Sequence, residues 1–540
     1  MIGRVRKAWG ESLFYQAQLK GPAPDRLFHQ PEDPRTPDAD LAKSLVRGRI
    51  ALGDEAVDCE GDLESLWDRA RGGGLLYAYL QEFSWLVHLN ALDEAGRAPA
   101  RVLVKAWLDR YERWSAQAWT PYFTAERLIA LCAHYPLILS GADPLWRSRV
   151  LTSMARQTRH LARTAHCAET GFERLMTALG LSVAGFCLPG CEGPAERGLE
   201  MVRRELRLQF RADGGHVSRN PSRQLKAALR LRTLAAAMAA RGGQPPGFLR
   251  HMVVRASAMA VFFRCGDGGL AVFNGGYEDD GRAVLAAQKA VDADAAPADF
   301  ARHSGYHRLS AARSLLIVDA ASDAGERHAF KSAGSLHFSS GRARLFVNCG
   351  NGGHRSAEWR KALERRAAHT ALSFEISPPV SFGETVHRRA EEAQGQLLEI
   401  KRQILTARTD NASCMRRLYL SADGGDMRGE DAIFDAPRDL VANAVLRFHL
   451  HPSVRASLAR DRRSVILLLP NKEGWRFKAD CPQIQLEKSV YCGGGAAPAA
   501  TEQIVLRPPA EIAEAPGAAD MSGGRVAIRW ALRRLDAVQA

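Results

Sequence analysis

The chain changes its hydrophobic periodicity once, near residue 264, and this change constrains its fold more than any other feature. Before that point, apolar residues recur at i, i+3/i+4 and i+7, as they do from Leu75 to Leu89, which is typical of amphipathic helices. After Arg264-Cys-Gly-Asp-Gly-Gly269, short β-rich runs are separated by Gly, Ser and Asp. In Val526, Ile528 and Trp530 the apolar residues alternate strictly. The sequence therefore predicts a helical half followed by an antiparallel β half.

The helical half contains several blocks joined by short Gly- and Pro-containing breaks. The longest predicted helices cover residues 144–165, 170–187, 194–211, 222–241 and 246–263. Such a series fits a bundle, a solenoid or an α/α toroid, and periodicity alone does not choose among them. The β half predicts a sandwich. One segment departs from it: Glu384 to Ala407 is rich in Glu, Gln, Arg and Leu, so we expect a helical insertion there.

A chain of 540 residues is too long for one compact core, so at least two large domains are expected. We predict three parts. Residues 1–62 form a Pro-rich N-terminal arm with a candidate hairpin at Gly48–Leu52, residues 63–263 form the helical domain, and residues 264–540 form the β-sandwich.

The formal net charge of +14 is carried mostly by arginine spread along the chain. It suits a polyanionic partner such as an acidic polysaccharide, nucleic acid or an anionic membrane, and it equally suits an arginine-rich solvated surface. The ten cysteines include no CxxC pair and indicate no disulfide framework. No apolar run approaches the ~18–20 residues of a membrane helix. The first twenty residues lack the apolar core of a secretory signal.

An ordered set of motifs along both halves resembles the bacterial heparinase II/III-like family, whose known members are polysaccharide lyases. In the helical half the motifs are Trp107–Trp114, Ala118–Tyr122, Ala125–Leu128, Arg211–His216 and Ser218–Pro221. In the β half they are Ser304–Tyr306, Ser332–Gly334, Val347–Gly350, Ala368–Thr370 and Phe448–Pro452. The resemblance implies an N-terminal α/α toroid, or incomplete barrel, followed by an antiparallel β-sandwich. It also implies β-elimination on a uronate-containing acidic glycan, in which an Asn, His or Arg neutralises the carboxylate and a Tyr or His moves the proton.

The chain departs from the family at several positions that carry this chemistry. Phe172 and Glu173 stand where many relatives have Asn-His, and Ser222-Arg-Gln224 stands where relatives often place Tyr-His. In metal-bearing relatives three β-domain turns hold a structural zinc, and here these turns supply Ser332, Asn348 and His369. Ser and Asn are poor zinc ligands, so we expect no metal and no cofactor.

Each remaining site residue has a functional and a structural interpretation. By resemblance, the candidate catalytic residues are His216, Tyr306 and His369, and the candidate substrate-binding residues are Arg219, Asn220, His307 and Trp119. Arg219 is suited to bidentate binding of a substrate carboxylate, but a salt bridge to a neighbouring helix is the stronger expectation. For Tyr306 and His369 a structural role is the stronger expectation. For Trp119, packing in the core is a stronger expectation than stacking on a sugar ring.

Two function classes follow from these residues. One is a polysaccharide lyase that cleaves an acidic uronate-containing glycan. The other is a catalytically degenerate relative that binds acidic glycan in the cell envelope without cleaving it. Both imply an acidic polysaccharide or oligosaccharide as the partner, with no nucleic acid and no membrane span. The family implies the periplasm or cell envelope, while the missing export signal leaves a cytoplasmic location open.

Overall fold

The computed structural model describes residues 9–53, 55–70, 74–291, 297–322, 330–352, 355–406, 411–495, 497–508 and 525–535. Its residues group into two compact units. The helical unit comprises Met1–Val217, Arg223–Ala260 and Leu285–Ala295. The sheet unit comprises Ser218–Ser222, Val261–Val284 and Ala296–Ala540.

The helical unit follows the predicted blocks closely. Its helices are α1 (Leu13–Gln18), α2 (Ala39–Val46), α3 (Leu66–Arg69), α4 (Leu75–Gln81), α5 (Leu86–Leu89), α6 (Glu94–Tyr111), α7 (Pro121–Ala133), α8 (Tyr135–Leu139), α9 (Pro144–Thr164), α10 (Phe172–Cys187), α11 (Glu192–Gln209), α12 (Pro221–Ala240) and α13 (Gly247–Phe262). The candidate hairpin near residue 50 is confirmed, since β1 (Arg49–Leu52) pairs antiparallel with β2 (Glu55–Asp58).

Local chemistry explains where the long helices begin and how closely they pack. The side chain of Asp143 caps α9 by accepting a hydrogen bond from the Trp146 N–H at 2.9 Å, and Pro144 occupies the first helical position. Helix α10 lies directly against α7 because Gly180 has no side chain. A Cβ at that position would stand 2.4 Å from the Cβ of Ala125. No helix among the described residues is both long enough and apolar enough to cross a bilayer.

The sheet unit is a sandwich of two antiparallel sheets. Its strands are β3 (Phe300–Ala301), β4 (Tyr306–Ala311), β5 (Ser314–Asp319), β6 (Leu336–Ser340), β7 (Ala343–Val347), β8 (Leu372–Phe374), β9 (Ser381–Glu392), β10 (Gly395–Leu405), β11 (Ser413–Ser421), β12 (Asp426–Phe434), β13 (Ala444–Leu450), β14 (Arg455–Leu458), β15 (Ser464–Leu468), β16 (Gly474–Ala479), β17 (Gln485–Tyr491), β18 (Ala499–Leu506) and β19 (Arg525–Arg534). Three further helices accompany them: α14 (Gly281–Gln288), which straddles the two units, α15 (Ala357–Glu364) and α16 (Arg438–Ala442).

The first sheet has the strand order β17-β18-β13-β7-β6-β5-β4-β3, with β8 also pairing with β13. The second sheet has the strand order β14-β15-β16-β19-β12-β11-β10-β9. Aromatic side chains from both sheets meet in one core. Phe338 lies edge-on to Trp475 at 5.5 Å, and Phe448 lies edge-on to Trp530 at 4.7 Å. The expected β-sandwich is confirmed.

The helix expected from Glu384 to Ala407 is wrong, because β9 and β10 form a long antiparallel hairpin there. Strong helix formers dominate its composition, but Leu398, Ile400 and Ile404 are buried at intervals of two or four residues. This period places them on one face of a strand, where they join the sandwich core. Tertiary burial therefore outweighs local helix propensity.

A substitution at Gly429 tests the tight packing beneath the second sheet. A Cβ at Gly429 would stand 2.1 Å from the ring of Trp530, which is almost fully buried and cannot move aside. We expect Gly429→Ala to lower the free energy of unfolding by about 1–3 kcal/mol, as overpacked cores do. Thermal denaturation measures this, with Gly494→Ala as the matched control, since nothing lies within 4 Å of a Cβ there. Equal stability of the two variants would contradict the packing.

Candidate functional site

Arg219 is the centre of a buried polar network in the sheet unit. Its backbone is left-handed, with φ of 54°, and its side chain is buried. The guanidinium forms an ion pair with the carboxylate of Asp319 and donates to the Ser304 carbonyl at 3.2 Å. It also lies 5.0 Å from the centroid of the Tyr306 ring. Arg219 therefore forms a salt bridge, as expected, but with strand β5 rather than with a helix, and its charge is neutralised within the chain.

Ser332, Asn274 and Tyr306 complete this network. The Ser332 hydroxyl lies 2.7 Å from both the Asp319 carboxylate and the Asn274 side-chain oxygen. The Asn274 amide donates to the Tyr306 hydroxyl at 2.8 Å, and that hydroxyl donates to the Arg219 carbonyl at 2.9 Å. Tyr306 has no exposed surface. In this conformation its hydroxyl has a donor and an acceptor within the protein, and solvent does not reach it.

Asn220 and Trp119 are also buried and hydrogen-bonded. The Asn220 amide donates to the Asn274 carbonyl at 2.9 Å, within the sheet unit. In the helical unit, the Trp119 indole donates to the Tyr111 carbonyl at 2.8 Å and packs edge-on against His160. The 2% exposure of Trp119 leaves no ring face for stacking on a sugar.

His216 belongs to the helical unit and contacts Phe172 and Gln224, which by resemblance stand where relatives have polar pairs. The Phe172 ring meets its imidazole edge-on at 5.6 Å, and the Gln224 side chain accepts from its backbone N–H at 2.7 Å. Its Nε2 lies 2.9 Å from the side-chain oxygen of Gln209. Two aromatic rings, Phe172 and Phe210, and two side-chain amides thus surround this histidine.

His307 and His369 are buried histidines in the sheet unit. His307 stacks on Phe300 at 4.2 Å and meets His387 edge-on at 4.8 Å. Within the described part of the chain, neither ring nitrogen of either histidine has a hydrogen-bond partner. Burial lowers the pKa of each to about 3, so both are neutral near pH 7.

Ser332, Asn348 and His369, which by resemblance are expected at the family's zinc position, are engaged in different ways. The Ser332 hydroxyl is held by Asp319 and Asn274. The Asn348 amide donates to the Val272 carbonyl at 2.8 Å, and its oxygen accepts from the Thr370 N–H at 3.0 Å. Only His369 presents a ring nitrogen not engaged by described residues, and one imidazole does not hold zinc. Nowhere in the described ranges do three His, Cys, Asp or Glu side chains group as metal ligands do.

Sequence reasoning missed a second charged cluster, which lies in the helical unit. The Lys226 ammonium lies 2.6 Å from the Tyr122 hydroxyl and 3.1 Å from the Glu82 carboxylate. Glu126 is fully buried and accepts from Arg230 at 2.7 Å. Although burial opposes ionisation of Glu126, the charges of Arg230 and Lys226 lower its pKa to about 2. Lys226 and Tyr122 retain partial solvent exposure, in contrast to Tyr306.

The buried ion pair generates a stability prediction. Removing one member leaves the other charged and unpaired, which typically costs about 3–5 kcal/mol. We expect Arg219→Met to destabilise the protein by this amount in chemical denaturation, and the double variant Arg219→Met/Asp319→Leu to recover part of the loss. Arg282→Met is the control because its pair with Asp280 is exposed and worth less than about 1 kcal/mol. Similar losses of stability in Arg219→Met and Arg282→Met would contradict a buried ion pair at Arg219.

The buried neutral histidines generate a pH prediction. Since the pKa of His307 is lowered from 6.5 to about 3 in the folded state, the unfolded state takes up a proton first as pH falls. The contribution to stability is complete above about pH 6.5 and is lost progressively below it. We expect the melting temperature to fall from about pH 7.5 to about pH 5, and His307→Phe to reduce this fall. His251→Phe, at an exposed histidine, should leave the pH dependence unchanged. If both variants behave alike, His307 is not buried in its neutral form.

Comparisons with known proteins agree with this architecture. Residues 293–531 match the family model described as heparinase II/III-like, C-terminal. "FtsZ-localized protein C" from Caulobacter vibrioides (strain NA1000 / CB15N) is 28% identical over 538 residues, covering 94% of this chain and 91% of the relative.

Two solved structures show the same fold at low sequence identity. Heparinase III is 14% identical, with 94% of this chain and 86% of that chain covered and a TM-score of 0.65. Heparan sulfate lyase HepC from Pedobacter heparinus is 13% identical, with 98% and 88% covered and a TM-score of 0.56. These likenesses confirm the expected α/α toroid followed by a β-sandwich. Residues 293–531 therefore match the C-terminal domain of the heparinase II/III-like family, and the chain shares the fold of heparinase III.

Proposed function

We propose that this chain does not cleave glycan. It acts instead by binding a protein partner, as a component of an assembly that contains FtsZ. The observation that carries the proposal is the state of the candidate catalytic residues. Tyr306, His216 and His369 are each at most 3% exposed, and Arg219 is paired with Asp319. β-Elimination needs a base that reaches the substrate and a group that neutralises its carboxylate. These residues offer neither in this conformation.

The partner class comes from the relative that aligns over almost the whole length of both chains. That relative is named for its localisation with FtsZ, whereas the lyases share the fold at 13–14% identity. One fold hosts many functions, so a full-length relative is the better guide to the partner than the fold is. Ser332 and Asn348, which by resemblance stand at the family's zinc position, are engaged by neighbouring groups, and this supports the same interpretation.

Two measurements test this proposal. We expect no rise in the ultraviolet absorbance of unsaturated uronate when the purified protein is incubated with heparan sulfate, chondroitin, hyaluronan or alginate. Heparan sulfate lyase HepC is the positive control. We also expect a fluorescent fusion of the full chain to coincide with labelled FtsZ in the native cell and to disperse when FtsZ is depleted. Turnover of any of these glycans, or localisation that does not depend on FtsZ, would overturn the proposal.

A lyase is the second candidate, and the Tyr122–Lys226 pair favours it. The Tyr122 hydroxyl lies 2.6 Å from the Lys226 ammonium, and both residues retain some exposure, so the hydroxyl can serve as a proton donor. Glu82 and Glu126 already pair with Lys226, so a substrate carboxylate would share this cation with them. If absorbance does rise, we expect Tyr122→Phe to abolish it and Tyr306→Phe to leave it largely intact. Retained glycan binding without turnover would favour the non-cleaving glycan-binding relative.

A further inference from the structure

The outer face of the second sheet carries an excess of positive charge. On its four central strands, β16-β19-β12-β11, side chains that point away from the core alternate with buried ones. Seven basic residues point outward and form what we call the basic face: Arg417, Arg428, Arg476, Lys478, Arg525, Arg529 and Arg533. On the same strands two acidic residues, Asp426 and Glu430, point outward.

These two carboxylates are shared among five of the arginines. Glu430 accepts from Arg529 at 2.8 Å, pairs with Arg525 and lies 3.7 Å from Arg417. Asp426 accepts from Arg428 at 2.6 Å and from Arg533 at 3.0 Å.

Beyond these strands, Glu399 on β10 also pairs with Arg417. Arg476 and Lys478 form no ion pair with any described residue, and both are exposed. The basic face therefore keeps a net positive charge after its internal pairs are formed.

A small apolar residue lies at the centre of this charge. Ala531 is paired with Arg428 on one neighbouring strand and with Lys478 on the other. Arg529 and Arg533 flank it on its own outward-facing row. The short side chain leaves a shallow cavity of about 490 Å³, which Tyr419 and Ala479 also line. The charged groups that line the cavity are four cations, Arg417, Arg428, Lys478 and Arg529, and two carboxylates, Glu430 and Asp480.

We propose that the basic face docks an acidic segment of a protein partner and that one apolar side chain of this segment occupies the cavity over Ala531. Six of the seven basic residues are arginine, whose planar guanidinium matches carboxylates with two parallel hydrogen bonds. Arginine and tyrosine around an apolar centre are typical of protein interfaces.

A glycan is the weaker fit for this surface. The described lining of the cavity has no Asn, Gln, Ser or Thr to bind sugar hydroxyls, and its two carboxylates, Glu430 and Asp480, already accept hydrogen bonds from Arg529. Its tyrosine hydroxyl already donates to the Gln394 carbonyl at 2.7 Å. This inference rests on the proposed function, and it specifies the chemistry of the partner segment that the chain binds.

The test measures binding of the full chain to two fluorescent peptides, one with Glu and Asp around a central Phe and one with Gly in its place. We expect the Phe peptide to bind at least about fivefold more tightly, as burial of an aromatic side chain predicts. The variant Arg476→Glu/Lys478→Glu should weaken binding about tenfold or more through two reversed charges. Ala531→Phe, which fills the cavity without changing charge, should abolish the advantage of the Phe peptide.

The matched control is Arg460→Glu/Arg463→Glu, which reverses two exposed charges in the turn between β14 and β15. It should bind both peptides as the unmodified chain does, and the melting temperatures of all variants should agree. Equal weakening by the control would overturn the proposal in favour of general charge attraction. Tighter, variant-sensitive binding of a heparan sulfate oligosaccharide would overturn it in favour of a glycan, and no binding of either peptide would also overturn it.

Localisation keeps this inference separate from the proposed function. A fusion that coincides with FtsZ while the chain binds neither peptide refutes the basic face alone. A fusion whose localisation does not depend on FtsZ refutes the proposed function, whether or not the chain binds the peptides.

Discussion

The buried pair of Arg219 and Asp319 is the interaction on which the candidate site depends. Charges removed from water are stable only when they are paired and when their remaining hydrogen-bonding positions are filled. Asp319 therefore requires Ser332, and Arg219 requires the Ser304 carbonyl and the ring of Tyr306. Asn274 then joins Ser332 to Tyr306. One ion pair thus fixes the positions of the tyrosine and the loops around it, and it leaves none of these groups available to a substrate.

The fold was predictable where a local pattern and tertiary burial agree. Helix α9 was expected at residues 144–165 and covers Pro144–Thr164, because a capping Asp and a Pro mark its start and its apolar residues keep the helical period. In the hairpin of β9 and β10, the residue composition favours a helix, whereas the buried apolar residues recur with a period of two. This period is incomplete in the sequence. Arg402 interrupts the buried series with a charged residue, and its burial could not be foreseen because its partner, the Asp319 carbonyl, lies 83 positions away.

Some residues of the site could be identified from the sequence, but the residues that surround them could not. Arg219 and Tyr306 were identified from motifs, and they do lie together in one network. Asp319 and Asn274 were not among the candidate residues. Their importance depends on contacts between residues 32 to 100 positions apart, and no local period records such contacts. Whether the candidate catalytic and substrate-binding residues act on any glycan remains a prediction.

The strand order of the second sheet has a consequence for biosynthesis. Strand β19, the last one described in the chain, is not an edge strand but lies between β12 and β16. Until the ribosome has released Arg525–Arg534, β12 and β16 each expose an unpaired backbone edge, and the apolar faces of Ile528 and Trp530 are missing from the core. Such edges are templates for pairing with other chains. A partly synthesised chain that lacks β19 therefore presents two backbone edges at which it can pair with other chains.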